Sequence, residues 1–425
     1  MWTLLLITVV GILAAPAVVY LVATGLDGNS EIFGLSVLMT RIMFPYILFM
    51  SMVALAGGIL NTWREFRIPA ITPVLLNVSF IIASLFVAPY LSQPVLALAG
   101  AVFIGGLLQL AIQIPALKKI GMLPRISFNI VGVFSDAGVQ RIIRQMIPAV
   151  FAVSVAQVSL MINTNIASRL VHGSVSWISY ADRLMEFPNA LLGIALGTIL
   201  LPSLSKAHAN NDDKEYSSLM DWGLRLTFLL AMPASILLMT LAVPFTATLF
   251  NYGKFNAVDV NMTAYAVIAY GVGLIGLIVV RILAPGFYAK QDIRTPVKIA
   301  VFVLILTQLM NLFFVPIFAH AGLALSIGIG ACGNAAILFY MLRKKGIYQP
   351  EKGWKIFFLK LAVALVLLAV VSIWSASYFD WIGMQAHPLY RMGALAIVMI
   401  VCGVVYFGAL LLLGFRIRHF RRIAQ

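Results

Sequence analysis

The sequence predicts an all-α fold, a polytopic bundle of transmembrane helices, from three observations. Of its 425 residues, 62% are hydrophobic and only 10% are charged. Its mean hydropathy is +1.02. Its apolar residues lie in long uninterrupted runs such as Leu361–Val371. A water-soluble chain needs about a quarter of its residues charged to cover its surface, and a disordered one is poor in apolar residues; both are excluded. Backbone groups in lipid must be bonded within the segment or within a closed barrel. Barrel strands alternate apolar and polar over about ten residues, and these runs do not.

A helix needs about 20 apolar residues to cross a bilayer. Twelve stretches qualify: 2–24, 35–60, 70–90, 94–115, 146–168, 185–202, 222–250, 262–283, 297–318, 321–342, 355–378 and 391–414. The first lacks the basic residue and short apolar core of a signal peptide and reads as a retained helix. Breakers such as Asp27-Gly28-Asn29 and Ser92-Gln93-Pro94 separate the early spans, whereas only Ala319-His320 divides the ninth from the tenth. Cys332 and Cys402 fall inside spans, so no disulfide framework is expected.

Cytoplasmic loops collect Lys and Arg. One alternating set of gaps holds Arg64 and Arg67; Lys118, Lys119, Arg125, Arg141 and Arg144; Lys206 and Lys214; Lys290 and Arg294; Arg343, Lys344, Lys345, Lys352 and Lys355; and the tail Arg416, Arg418, Arg421 and Arg422. The other holds Arg169, Arg183 and Lys254. Both termini are therefore expected on the cytoplasmic side. The net charge of +15 reads as this topology signal plus contact with anionic membrane lipids. It is no nucleic-acid footprint, since no basic stripe carries interleaved stacking aromatics.

The chain contains an internal repeat. Pro69, Pro89 and Leu96-Ala97-Leu98 return 227 positions later as Pro296, Pro316 and Leu323-Ala324-Leu325. Leu117-Lys118-Lys119-Ile120-Gly121-Met122 resembles Leu342-Arg343-Lys344-Lys345-Gly346-Ile347. A six-helix unit repeated in parallel orientation is a transporter architecture. On this arithmetic, spans 5 and 6 have partners only upstream of Met1. The expected organisation is an N-lobe over 1–117, an inter-lobe linker over 118–145, a C-lobe over 146–345 and a C-terminal helix pair with a basic tail over 346–425.

Ionisable residues at membrane depth are costly and default to functional candidates. The densest polar stretch runs from Ser176 to Pro188. As a helix it brings Asp182 and Glu186 to i,i+4, Arg183 and Glu186 to i,i+3, and Ser176, Tyr180, Arg183 and Phe187 to one face. Two readings stay open: an interfacial helix neutralising itself, or an Arg held by carboxylates and presented to an anionic ligand. Arg41 and Arg169 lie toward the outer side, where either snorkelling or function explains them; Arg225 and Arg281 near cytoplasmic span ends read as snorkelling. Asn77, Gln109, Gln113, Asn165 and Asn311 read as interhelical hydrogen bonders. Gly271-x-Gly273-x-x-Gly276 sits mid-span and reads as helix packing, as does Gly193-x-x-x-Gly197. The five histidines lie in separate loops, and neither a nucleophile–base pair nor a phosphate loop stands out. No enzyme, no metal and no cofactor is expected.

Four stretches carry a family resemblance: Leu60-Asn61-Thr62-Trp63-Arg64-x-Phe66-x-Ile68-Pro69-Ala70, Tyr180-Ala181-Asp182-Arg183-Leu184-Met185-Glu186-Phe187-Pro188, Leu196-Gly197-Thr198-Ile199-Leu200-Leu201-Pro202-Ser203-Leu204-Ser205, and Ala284-Pro285-Gly286-Phe287-Tyr288-Ala289-Lys290-Gln291-Asp292-Ile293-Arg294-Thr295-Pro296. They resemble the MurJ (MviN) lipid II flippases, of the superfamily that includes multidrug and polysaccharide exporters. The resemblance implies fourteen helices in two six-helix lobes and a C-terminal pair, so that this sequence lacks the first two. It implies translocation of a polyprenyl-diphosphate-linked peptidoglycan precursor across the bacterial cytoplasmic membrane by alternating access, by a chain expected to be monomeric. It assigns Arg183 as a cavity arginine, Glu186 as its carboxylate partner and Ser176 as cavity-lining, with Asp182 and Arg41 as further candidates for the diphosphate cavity. It places a groove for the lipid tail on 355–378 and 391–414. The acidic sodium site of some members is not carried over, because spans 7 to 10 contain no internal Asp or Glu. A non-transporting scaffold or inactive remnant, and a drug or polysaccharide exporter of the same superfamily, are the alternative readings.

Overall fold

The computed structural model describes residues 2–26, 30–123, 132 and 136–415. The Asp27-Gly28-Asn29 turn, Arg125 and the tail arginines 416, 418, 421 and 422 lie outside the described residues. Among the described residues the secondary structure is helical, with no strand. The chain divides into two units, residues 1–169 and 170–425.

The first unit contains α1 (Trp2–Leu13), α2 (Ala15–Val22), α3 (Ser30–Met43), α4 (Tyr46–Thr62), α5 (Arg67–Ile82), α6 (Val95–Lys119) and α7 (Ala137–Ser168). The expected first span is broken: α1 and α2 meet at 73°. Pro16 in the first turn of α2 lacks the N–H that would continue the α1 ladder, which accounts for the break. Polar side chains join helices here as expected in lipid. Gln109 Nε2 donates to the Thr72 carbonyl at 3.2 Å and Gln113 Nε2 to Thr72 Oγ1 at 3.1 Å, tying α6 to α5. Asn165 Nδ2 donates to the Leu21 carbonyl at 2.9 Å. Arg169 Nε donates to Thr24 Oγ1 at 2.8 Å. These bonds hold the end of α7 to the end of α2 within the first unit.

The second unit contains α8 (Ser174–Pro188), a π-helical turn at Asn189–Ile194, α9 (Ala195–Ala209), α10 (Asp213–Thr240), α11 (Ala242–Phe250), α12 (Ala257–Tyr288), α13 (Arg294–Phe318), α14 (His320–Lys344), α15 (Trp354–Ala376) and α16 (Pro388–Leu412). Helix α12 is the central strut, with Leu274, Ile278 and Ile282 fully buried. A Cβ on Gly273 or Gly276 would overlap the backbone of α14, so these glycines serve close packing. Only Ala319 separates α13 from α14, at φ +48°, a left-handed conformation that disfavours a side chain.

Ten helices among the described residues are long and apolar enough to cross a bilayer, and the bent pair α1–α2 makes an eleventh if it is one span. The remaining expected span, 146–168, falls on α7, several of whose side chains lie outside the described residues. The expected span 185–202 is longer than read from hydropathy, running as one helical stretch over Ser174–Ala209.

The repeat is visible in the helix ends. Arg64 (φ 62°) and Gln291 (φ 59°), 227 positions apart, both terminate a helix in the left-handed region. Gly121 (φ 71°) and Gly346 (φ 68°) do the same after α6 and α14. In all four cases the following N–H bonds back to a helical carbonyl (Leu60, Phe287, Leu117 and Leu342), satisfying groups the helix end leaves open.

Candidate functional site

Helix α8 presents two faces. Ser174, Trp177, Ala181 and Met185 are buried in the second unit. Trp177 Nε1 donates to Asp259 Oδ1 at 2.8 Å, and its ring lies 5.1 Å from that of His320. Tyr180 packs against Phe250 in a tilted arrangement and edge-on against Phe255, with centroids at 4.7 and 5.1 Å. This anchoring turns Ser176, Asp182, Arg183, Glu186 and Phe187 outward, all exposed. The grouping of polar residues on one side of α8 follows the helical spacing.

The pairing expected within that face differs. The described cationic partner of Glu186 is Arg281 on α12, with Nη2 3.9 Å from Oε1, and not Arg183. Asn189 bridges the two: its Nδ2 donates to Glu186 Oε2 at 3.0 Å, and its Oδ1 accepts from Arg281 Nε at 3.2 Å. The cause is local geometry. The π-helical turn begins at Asn189, which is buried, and carries its amide between the two charges. A Cβ on Gly193 would collide with the Arg281 side chain, so this glycine makes room for the arginine, whereas Gly197 packs near the backbone of α12. Arg281, which reads as a snorkelling residue in the sequence, thus meets the charged face of α8 through Asn189 and Glu186. The signal for it was weak: a basic residue near a span end, with its partners 92 or more positions away. Arg183 makes no hydrogen bond or ion pair among the described residues. Arg41 lies on α3 of the first unit, exposed near its C-terminal end.

A second polar centre was not foreseen. Asp221 on α10 is only 1% exposed and accepts from Arg225 Nε (2.6 Å), Tyr348 Oη (2.7 Å), Trp354 Nε1 (2.7 Å) and the Glu351 N–H (3.1 Å). Arg225 also donates to the Lys352 carbonyl at 3.0 Å and lies 5.0 Å from the centre of the Trp354 ring. Arg225 is therefore a structural partner and not a snorkelling residue. Burial and the Asp221 carboxylate push the Tyr348 hydroxyl above its ordinary range. Together these bonds clamp the 348–354 segment, which leads into the C-terminal helices, against α10. A third centre is Arg391, wholly buried, donating to the Trp381 and Asn251 carbonyls at 3.4 and 3.2 Å and lying over the Tyr252 ring. Among the described residues no group of three or more metal-ligating side chains gathers.

The helical architecture and the charged face on α8 define a multi-pass membrane protein with a transporter fold. Two solved structures share that fold. A lipid II flippase MurJ in an inward closed conformation matches with a TM-score of 0.78 at 20% identity, over 96% of this chain and 82% of that one. An inward-facing multidrug transporter of the MATE family matches with 0.67 at 15% identity, over 80% and 77%. Residues 1–391 match the family described as Lipid II flippase MurJ. The lipid II flippase MurJ of Burkholderia cenocepacia is 58% identical over 424 residues, covering all of this chain and 82% of its own. The probable lipid II flippase MurJ of Haemophilus influenzae is 37% identical, covering 97% and 82%. The chain belongs to the MurJ family.

Proposed function

We propose that this protein is a lipid II flippase, moving the polyprenyl-diphosphate-linked peptidoglycan precursor from the inner to the outer leaflet of the bacterial cytoplasmic membrane by alternating access. The observation that carries this reading is the 58% identity, sustained along the whole chain, to a lipid II flippase. The protein's part is transport, with no bond of the substrate made or broken.

A diphosphate entering a water-poor cavity loses hydration and needs fixed cations in exchange. Arginine suits this role because its fork of donors is permanently charged and matches phosphate oxygens. Arg183 is the candidate, supported by its exposed side chain without an ion-pair partner among the described residues. Asp182 beside it and Ser176 on the same side of α8 complete the candidate face, and Arg41 is the corresponding candidate in the first unit. Glu186 acts in this reading through Arg281, holding a second guanidinium at the edge of the face. The lobes are read as 1–117 and 146–345, joined by 118–145, and the C-terminal pair, 346–425, supplies the lipid-tail groove on 355–378 and 391–414. In this reading both termini are cytoplasmic, supported by the Lys- and Arg-rich loops of one alternating set, and those loops face anionic lipid headgroups. The working unit is a monomer.

Growth rescue of a bacterium depleted of its own flippase tests the assignment. The wild-type chain restores growth, and Arg183→Ala, present in the membrane at equal level, does not. Normal rescue by Arg183→Ala would defeat the diphosphate assignment.

A further inference from the structure

We propose that the second unit binds one monatomic anion of the chloride class beside buried Arg391, where the start of α16 meets the end of α11. Arg391 is wholly buried, and no carboxylate lies within 4.0 Å of it among the described residues. A buried charge is tolerated when it is paired and hydrogen-bonded. The Trp381 and Asn251 carbonyls and the Tyr252 ring are dipoles, and they offset only part of the charge. The side chain leans toward the N-terminus of its own helix, which itself carries positive partial charge. The balance around Arg391 therefore stays positive, and an anion neutralises it.

Unpartnered donors show where the ion sits. Arg391 Nε, Asn251 Nδ2 and Thr248 Oγ1 are buried and have no hydrogen-bond partner among the described residues. They belong to one group. Arg391 Nη2 reaches the Asn251 carbonyl, and the guanidinium carbon lies 4.9 Å from the centre of the Tyr252 ring. Tyr252 in turn folds back, its Oη donating to the Thr248 carbonyl at 2.7 Å. Thr248 and Asn251 stand i,i+3 at the end of α11, on one face. Three donors in a dry group suit a ligand that only accepts. Asn251 Oδ1 is also unpartnered; a water would use it, whereas an anion would not. Side chains this deeply buried are close-packed, which favours a single atom over a phosphate or sulfate. The ion touches the end of α11, the link that carries Trp381 and the first turns of α16. It thereby fastens the C-terminal helices to the rest of the unit at the end opposite the Asp221 clamp.

The test uses the full chain purified in detergent, with its thermal midpoint read in sodium chloride and in sodium gluconate at equal ionic strength. In chloride at about tenfold its dissociation constant the wild type gains about 3 °C, saturably, and bromide acts likewise. Arg391→Gln would strand buried carbonyls, so the informative variant is Asn251→Asp, which sets a fixed carboxylate beside Arg391 in the volume of the amide. Its midpoint in gluconate reaches that of the wild type in chloride, and its chloride response disappears. Broadening of the chloride nuclear magnetic resonance line by the wild type, lost in Asn251→Asp, reports the bound ion itself. Equal wild-type midpoints in the two salts, with no line broadening, would overturn the proposal in favour of a buried water. A chloride response that survives Asn251→Asp would also overturn it, placing the ion elsewhere on the basic surface. The readouts are binding and stability, so the proposal stands or falls apart from the flippase assignment.

Discussion

Replacing Asp221 by Ala removes the acceptor that joins α10 to the 348–354 segment. Four donors lose it: Arg225 Nε, Tyr348 Oη, Trp354 Nε1 and the Glu351 N–H. They are not equal. Tyr348 is 1% exposed, so its hydroxyl is orphaned at a cost of about 1–3 kcal/mol. The Arg225 side chain is 23% exposed and keeps the Lys352 carbonyl, so hydration offsets part of its loss. The whole change therefore costs about 3–5 kcal/mol, the range for removing one partner from a buried charge pair. Local opening of the clamp is the most sensitive readout. A loss of about 3 kcal/mol in local stability raises exchange of a protected amide by roughly 150-fold. Hydrogen exchange followed by mass spectrometry on residues 348–354 should show that rise, with peptides of α5 and α6 in the other unit unchanged. Tyr348→Phe removes one bond without stranding a carboxylate and should raise exchange far less. A rise below about fivefold for Asp221→Ala would refute the account of Asp221 as the clamp.

Gly193→Ala should displace Arg281 from Asn189, because the added Cβ meets the arginine stem; transport falls while membrane level is maintained, and an unchanged transport rate would show that the Arg281–Asn189–Glu186 bridge has no role. Ala319→Gly should stabilise the protein by up to about 1 kcal/mol, read as a raised thermal midpoint in detergent, since glycine adopts the positive φ of this one-residue link without strain. Asp292 is held at a pKa of about 2, chiefly by the Lys345 hydrogen bond (2.5 Å) and then by Thr295. Its depressed pKa means that its contribution is fully present above the ordinary carboxylate value near 4 and is lost as pH falls from about 4 to 2. Thermal midpoints over that window should fall more steeply for the wild type than for Asp292→Asn, and parallel curves would contradict the assignment.

The spans and the repeat were legible because each rests on local signals. Apolar runs mark helices, and the repeat is written in caps that recur at Arg64 and Gln291 and at Gly121 and Gly346. The outward face of α8 was legible for the same reason, since Ser176, Arg183 and Glu186 follow helical spacing around the buried Trp177 and Met185. What the spacing could not supply was partner choice across distance. Glu186 meets Arg281 through a π-helical turn that no periodicity announces, and Asp221 draws three of its four donors from 127 to 133 positions away. Arg391, the first residue of the expected span 391–414, is wholly buried, because the carbonyls of Trp381 and Asn251 that accept from it come from two loops that only the fold assembles. The break between α1 and α2 was masked by unbroken hydropathy, although Pro16 marked its place.

The central claim is that this chain moves lipid II between leaflets. The direct measurement reconstitutes the purified chain into sealed vesicles with fluorescent lipid II initially confined to one leaflet, and follows its exposure to a membrane-impermeant reductant on the opposite side. The account predicts exposure that rises with protein content and is lost in Arg183→Ala. Lipid II that stays protected at every protein density in vesicles containing folded chain would contradict it.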